Sequence, residues 1–335
     1  MKLKNKISAT ISIIKVKFFK RKIPLAVGWA ITNRCNYQCK YCRRWKKKTK
    51  ELSTKQIFLI IDELKQLGCQ IIVFTGGEPL LKGDMGLIVN YCKEKNLTVG
   101  INSNGSLFRK RINELKNIDS LTLSLDGPKK INDLLRGKGS YKNVIDAIET
   151  AKKNSINLSL TIVISKLNLD YLRDILKIAK KYDILVYFQP VSMTYGYNEL
   201  KELKCLSNKY KKLIDELITL KKKGNKQIGN SVPGLRHLRD WPKPKKIKCA
   251  AGIIRCRIEP NGDIYPCGRL VGKINPQNCV NIGFEEAFNK ISQVNCNACW
   301  CANNVELNLA YSLNISTIKN LLKTILRGDG SNWSL

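Results

Sequence analysis

Three cysteines in one short stretch are the residues of this chain best suited to chemistry. Cys35, Cys39 and Cys42 are separated by three and two residues and follow an apolar run from 23 to 31. This spacing places three sulfurs on one loop, where they can converge on one metal centre. A structural zinc site takes four protein ligands, whereas a four-iron cube held by three cysteines leaves one iron open. The stretch therefore indicates an iron–sulfur cluster with an open position; a zinc loop that borrows a fourth ligand is the alternative.

A glycine-rich turn follows the next apolar run along the chain. Its sequence is Thr75-Gly76-Gly77-Glu78-Pro79. Two glycines without a Cβ allow another group to approach the backbone closely. A zinc loop would leave this turn unexplained. Together with the C-x3-C-x2-C spacing and the aromatic Tyr41 before the last cysteine, the turn resembles the signature of the radical S-adenosylmethionine (SAM) superfamily.

The resemblance implies a cofactor and a reaction. The three cysteines would ligate a 4Fe-4S cluster whose open iron binds the amino and carboxylate groups of SAM. A reductant of the flavodoxin or ferredoxin type would supply an electron, and cleavage of SAM would give a 5′-deoxyadenosyl radical that abstracts hydrogen from a substrate. Tyr41 would pack near the adenine, and Glu78 would help to anchor the ammonium group. The other implied SAM contacts are Gly76, Gly77, Pro79, Asn104, Ser124 and Asp126, although Asn-Gly and Asp-Gly are also ordinary turn dipeptides.

A second group of cysteines lies near the C-terminus. Cys249 and Cys267 flank a hairpin predicted by Asn261-Gly262. This region resembles the auxiliary iron–sulfur extensions of radical SAM enzymes, the SPASM and twitch domains. The resemblance implies one auxiliary 4Fe-4S cluster, held by Cys249, Cys267 and two of the thiols Cys296, Cys299 and Cys301, with Cys256 as a spare ligand. Four thiolates would support a structural zinc ion equally well. Cys279 is less suited to ligation, and we expect Cys69, Cys92 and Cys205 to be packed in the core.

Helices and strands alternate between the two cysteine groups. Six short apolar runs, each followed by an amphipathic helix, predict parallel strands covered by helices. We expect an α/β fold, an open partial (β/α)6 parallel barrel with a small cysteine-rich C-terminal domain. Ligand sites in such folds lie at the carboxyl ends of the strands. The predicted segments are a basic amphipathic helix at 1–22, the core at 23–223, a linker at 224–248, the auxiliary domain at 249–303, and a C-terminal helix and tail at 304–335.

The charge and the amino-acid composition limit the classes of partner that we expect for this protein. The formal net charge is +34, and the first fifty residues contain no Asp or Glu. Such a charge attracts polyanions; a solvated lysine-rich surface is the plain alternative. The helix at 1–22 either lies on an anionic membrane or packs on the protein's own surface. A single histidine excludes His-rich metal sites, and no apolar run is long enough to cross a membrane. We therefore expect a cytoplasmic protein, or one held at the membrane surface.

The sequence predicts a reaction type more firmly than a substrate. We expect an enzyme of the oxidoreductase or transferase type that acts on a peptide, a protein or a membrane lipid. Nucleic acid is less favoured, because no RNA-recognition motif is present. Two readings from other classes are a non-catalytic iron–sulfur or zinc protein and a peripheral membrane scaffold.

Overall fold

A nine-stranded sheet forms the centre of the protein. The computed structural model describes residues 22–191, 203, 205, 208–243, 246–292, 296 and 299–326. The strand order is β6-β5-β4-β3-β2-β1-β7-β8-β9, and neighbouring strands from β6 to β7 are parallel. The first six strands are Ala26–Thr32 (β1), Ile71–Gly76 (β2), Thr98–Ser103 (β3), Ser120–Ser124 (β4), Asn157–Ile164 (β5) and Leu185–Pro190 (β6). Since β6 does not return to β1 within the described part of the chain, the predicted open, partial barrel is confirmed.

Helices cover the sheet between successive strands. Ser53 begins the first of them: its hydroxyl accepts from the Gln56 N–H, and the Gln56 side chain accepts from the Ser53 N–H. This reciprocal pair is a capping box. The helices up to residue 222 are Thr54–Gln66 (α1), Met85–Glu94 (α2), Phe108–Leu115 (α3), Lys129–Arg136 (α4), Ser140–Lys153 (α5), Leu172–Tyr182 (α6) and Asn208–Lys222 (α7). Of these, only α4 was not expected from the sequence.

The segment 224–248 is not a linker, and that prediction is wrong. It contains the helix Val232–Arg239 (α8), whose Leu235 and Leu238 are fully buried. Ile228 also forms a parallel bridge with Val186 in β6. The Gly, Pro and Lys content of the segment had favoured a linker. Pro233, however, lies in the first turn of α8, where the missing backbone N–H breaks no helical hydrogen bond.

The cysteine-rich C-terminal region continues the same sheet. Arg255–Ile258 (β7) pairs in parallel with β1, in the register Ala26 to Arg255. The predicted hairpin joins β7 to Asp263–Tyr265 (β8), with Gly262 at a φ of 87°. Beyond it lie Gln277–Asn278 (β9), Cys279–Ile282 (α9), Phe284–Lys290 (α10), Ala302–Tyr311 (α11) and Ile315–Leu326 (α12). The region predicted as a separate domain therefore shares a strand pairing with the core.

The core lies between the sheet and its helices. All seven residues of β1 are buried, and the rings of Trp29 and Phe74 lie 6.0 Å apart. No helix within the described ranges is long and apolar enough to cross a membrane. The predicted basic helix at 1–22 lies outside those ranges except for Lys22, which donates to the carbonyl oxygens of Asn289 and Ile291 at 2.8 and 2.9 Å.

Candidate functional site

The first cysteine loop leaves the carboxyl end of β1 and rests on the turn that ends β2. The Gly77 N–H donates to the Thr32 carbonyl and the Glu78 N–H to the Arg34 carbonyl, both at 2.8 Å. A Cβ on Gly76 would lie 2.1 Å from the Thr32 oxygen, and one on Gly77 would lie 2.1 Å from the Arg34 oxygen. The glycines are therefore needed by the backbone that leads into Cys35. That Gly76 and Gly77 also contact SAM remains a prediction.

The Glu78 side chain turns beneath this loop. One carboxylate oxygen accepts from the Ser103 hydroxyl at 2.8 Å and the Leu80 N–H at 3.1 Å, and the other accepts from the Asn104 N–H at 2.7 Å. Burial raises the pKa of Glu78 to about 7, although these hydrogen bonds oppose the shift. The carboxylate holds the ends of β2 and β3 together, and its contact with the ammonium group of SAM remains a prediction.

Asn104 lies next to the first thiol. Its amide nitrogen donates to the Asn36 side-chain oxygen at 2.9 Å and lies 3.9 Å from the sulfur of Cys35. The Tyr37 N–H points at the same sulfur from 3.4 Å. Asn104, predicted as a SAM contact, is thus placed at the cysteine loop by the end of β3.

Asp126 anchors the loop from the end of β4. It is fully buried, and one oxygen accepts from the Tyr41 hydroxyl at 2.5 Å and from the Arg136 guanidinium at 2.6 Å. The other oxygen accepts from the Val163 N–H at 2.9 Å. Both oxygens thus accept hydrogen bonds within the protein, and the predicted contact of Asp126 with SAM remains a prediction. Ser124 is half-buried at the end of β4, and its predicted SAM contact remains a prediction.

Arg136, at the end of α4, is a functional residue that the sequence analysis missed. Its guanidinium lies 5.5 Å from the Tyr41 ring centre, and its carbonyl oxygen lies 3.9 Å from the sulfur of Cys39. The neighbouring Leu135 carbonyl accepts from the Lys40 N–H at 2.8 Å. The available signal was a short amphipathic helix directly after Asp126-Gly127-Pro128, ending in arginine before Gly137.

The three thiols are half-buried and lie within electrostatic range of one another. Burial raises the pKa of Cys35 to about 11 and that of Cys39 to about 12. Metal binding would have to remove these protons. Over the ranges described above, no group of three or more Cys, His, Asp or Glu side chains is already gathered closely enough to hold a metal ion. The donor set of three sulfurs on one anchored loop still fits an iron–sulfur cluster.

Four of the C-terminal thiols lie within electrostatic range of a buried arginine. Arg255, on β7, is 3% exposed. Burial lowers the pKa of its guanidinium, but the charges of nearby thiolates outweigh burial and raise it; these are Cys267, Cys299, Cys249 and Cys301. Cys301 is the N-cap of α11, and burial raises the pKa of its thiol although backbone N–H groups of the first turn oppose the shift. This group fits an anionic centre with four sulfur ligands.

The remaining cysteines lie elsewhere. Cys296 is exposed, whereas the other two candidate thiols, Cys299 and Cys301, are partly buried, and its role as a ligand remains a prediction. Cys256 packs in the core near Cys69 and Cys279, so the suggestion that it is a spare ligand is wrong. Alternation along a strand explains this, because neighbouring residues on β7 point to opposite faces of the sheet. Cys69, Cys92 and Cys205 are buried, as expected.

Comparisons with known proteins agree with this arrangement. Residues 29–179 match the sequence model of the radical SAM superfamily. The chain is 28% identical over 267 residues to mycofactocin maturase MftC of Mycolicibacterium smegmatis, covering 75% of this chain and 67% of the relative. It is 31% identical over 269 residues to protein MJ0907 of Methanocaldococcus jannaschii, covering 75% and 89%. It is 24% identical over 270 residues to the AdoMet-dependent heme synthase of Oleidesulfovibrio alaskensis, covering 73% and 69%.

The fold is also similar to a solved structure. The crystal structure of SuiB from Streptococcus suis bound to S-adenosylmethionine aligns with a TM-score of 0.68 at 19% identity. The alignment covers 84% of this chain and 69% of SuiB. With the cysteine loop, the glycine turn and the open sheet already in place, these matches show that the chain belongs to the radical SAM superfamily.

Proposed function

We propose that this enzyme reductively cleaves SAM and directs the resulting 5′-deoxyadenosyl radical to a peptide. The observation that carries the first part is the loop of Cys35, Cys39 and Cys42, held against the Gly76-Gly77 turn at the carboxyl end of the sheet. A four-iron cluster bound by these thiols would supply the electron and the open coordination site. A flavodoxin or ferredoxin would be the reductant.

The chain's own residues orient the thiols from three sides. The end of β2 binds the start of the loop through backbone hydrogen bonds, and Asn104 on β3 lies beside Cys35. Asp126 fixes Tyr41, and α4 binds the Lys40 backbone. A loop held this firmly keeps its sulfurs in place while the protons are lost and the metal binds.

The peptide substrate is inferred from relatives. One is named a maturase, and the fold neighbour SuiB has been crystallised with its precursor peptide SuiA. The heme synthase among the relatives makes a tetrapyrrole the competing substrate.

The test of the proposed function is an anaerobic assay. The full chain is reconstituted with iron and sulfide, then given SAM and dithionite, beside a variant with Cys35, Cys39 and Cys42 changed to Ala. We expect about eight irons per chain in the parent and about four in the variant, with 5′-deoxyadenosine formed by the parent alone. Zinc in place of iron, or no deoxyadenosine from the reconstituted parent, would favour a non-catalytic metal-binding protein.

The same assay tests which class of substrate the enzyme modifies. Short peptides encoded beside the gene are added to the reconstituted parent, and their mass is followed together with deoxyadenosine. We expect a mass change in one peptide and none with the cysteine variant. A reaction with iron coproporphyrin or with phospholipid vesicles instead would replace the peptide assignment.

We also propose the ligands of the auxiliary cluster. Cys249, Cys267, Cys299 and Cys301 are the four thiols whose charges act together on Arg255, and we choose them over sets that include Cys296. In the variant lacking the first three cysteines, changing Cys299 to Ala should remove the remaining iron, whereas changing Cys296 to Ala should leave about four irons.

A membrane surface is the partner suggested by α12. This helix exposes Ile315 and Leu322, and the same side of the molecule has a basic groove of about 940 Å³ lined in part by Lys319 and Lys323. Exposed apolar side chains next to lysines are typical of helices that lie on anionic lipid. We propose that α12 contacts such a surface.

A further inference from the structure

Arg255 carries a buried positive charge with few partners. One guanidinium nitrogen donates to the Asn304 side-chain oxygen, and the Nε is buried without a hydrogen-bond partner. Burying an ion away from water is strongly unfavourable unless an opposite charge compensates it. The buried guanidinium of Arg255 therefore needs a compensating negative charge next to it.

Two other buried arginines are each paired with a carboxylate. Arg44 lies 2.8 Å from Glu259, and Arg136 lies 2.6 Å from Asp126. Across the described ranges, no carboxylate forms a salt bridge with Arg255. The four thiols of the second cysteine group lie within electrostatic range of Arg255 and become negative when they lose their protons to bind a metal.

Two N–H groups in this surrounding point at sulfur atoms. The Asn308 amide lies 3.7 Å from the sulfur of Cys299, and the Arg269 N–H lies 3.4 Å from that of Cys267. Residues 301, 304 and 308 share one face of α11, at spacings of three and four. One face of α11 therefore carries a proposed cluster ligand (Cys301), the hydrogen-bond partner of Arg255 (Asn304) and an amide that donates to a cysteine sulfur (Asn308).

We propose that Arg255 is the counter-charge of the auxiliary cluster and raises its reduction potential. This inference rests on the proposed cluster at Cys249, Cys267, Cys299 and Cys301. A four-iron cube with four thiolates is an anion, and one-electron reduction adds one more negative charge. A buried guanidinium stabilises the reduced form more than the oxidised form, so it favours acceptance of an electron from the external reductant. Arg255 is thus a positioning residue that acts through the cluster.

The test isolates the auxiliary cluster. The full chain with Cys35, Cys39 and Cys42 changed to Ala is reconstituted anaerobically, and Arg255→Gln, Arg255→Met and Arg255→Lys are introduced into it. Iron per chain is counted, and the reduced fraction is followed by electron paramagnetic resonance in a redox titration. Arg173→Met is the control, because Arg173 pairs with Glu216 on the surface and is 72% exposed.

We expect Arg255→Lys and the control to keep about four irons and a potential close to the parent's. At the parent's midpoint potential, the neutral variants should show a reduced-to-oxidised ratio lower by roughly tenfold or more. Loss of iron from both neutral variants but not from Arg255→Lys would equally support a counter-charge.

Three results would overturn the proposal. They are an unchanged potential in a neutral variant that retains its iron, loss of iron from Arg255→Lys together with the neutral variants, and an absence of iron from the parent of this series. The last result removes the auxiliary cluster but leaves the SAM-cleaving site untouched, since deoxyadenosine formation by the unmodified chain is measured separately.

Discussion

Gly77 sits where the cysteine loop and the β2 turn come closest. In Gly77→Ala the new Cβ would meet the Arg34 carbonyl at 2.1 Å. Because both partners are backbone, one must move; overpacking of this kind typically costs about 1–3 kcal/mol. We expect the loop to shift and Gly77→Ala to lose most of the iron bound by the first site. Iron content and deoxyadenosine formation after reconstitution measure this.

Gly83→Ala is the matched control, because a Cβ there has nothing within 4 Å. It should reconstitute like the parent. Equal iron content in the two alanine variants would show that the close approach is not needed for cluster binding.

Single residues also show where sequence-based prediction stops. The three ligands of the first loop follow from spacing, and the glycine turn from composition. Arg136 and Arg255 do not, because a sequence of this charge contains 60 Lys and Arg residues and gives no sign of which are buried. Likewise, Asp126 follows a strand in the sequence as a ligand would, but one of its oxygens accepts from both Tyr41 and Arg136, which the sequence does not reveal.

A buried ion pair joins two elements that are distant in sequence. Arg44, just after the first cysteine loop, binds Glu259 at the end of β7, and Glu259 also binds Arg257 at 3.0 Å. Burial raises the pKa of Glu259, but the two arginines outweigh burial and lower it. The pair links the loop to the hairpin of the second cysteine group.

This arrangement predicts an asymmetry between the two single variants. Glu259→Gln removes the carboxylate that both Arg44 and Arg257 bind, whereas Arg44→Met leaves Glu259 paired with Arg257. We expect Glu259→Gln to be the more destabilising, on the order of 3–5 kcal/mol, and the double variant to cost less than the sum. Denaturant unfolding of the four proteins measures the coupling.

Lys177→Met, which removes an exposed pair with Asp174, serves as the comparison and should cost about 1 kcal/mol or less. Additive effects of Arg44→Met and Glu259→Gln would contradict the linkage.

At the level of elements, local patterns predicted the fold well. Six apolar runs became six parallel strands, and Asn261-Gly262 became the hairpin turn. The features that the sequence did not predict are either short helices or contacts between segments that are distant along the chain. The eight-residue helices α4 and α8 were hidden by turn-like composition. The pairing of β7 with β1 joins segments more than two hundred residues apart, and no local pattern encodes it.

For the molecule as a whole, the net charge of +34 makes anionic surfaces the expected partners. If α12 contacts lipid, the reconstituted chain should float with anionic vesicles and not with neutral ones. Changing Ile315 and Leu322 to Ser should weaken vesicle binding by roughly thirtyfold or more, since each exposed apolar side chain contributes roughly 1–2 kcal/mol when buried in the interface.

Leu87→Ser is the control, because Leu87 is equally exposed on α2. Deletion of residues 1–22 in parallel separates the role of the basic N-terminus from that of α12. Binding that depends only on residues 1–22 would refute a contact by α12.

The position of β1 has a practical consequence for shortening the protein. With β2 on one side and β7 on the other, β1 is an inner strand whose seven residues are all buried. A chain cut before β7 would turn it into a bare apolar edge, the kind of strand that pairs with other molecules and aggregates. The second cysteine group can be removed by truncation or by substitution, and these are different experiments. Only substitution keeps β7 paired with β1.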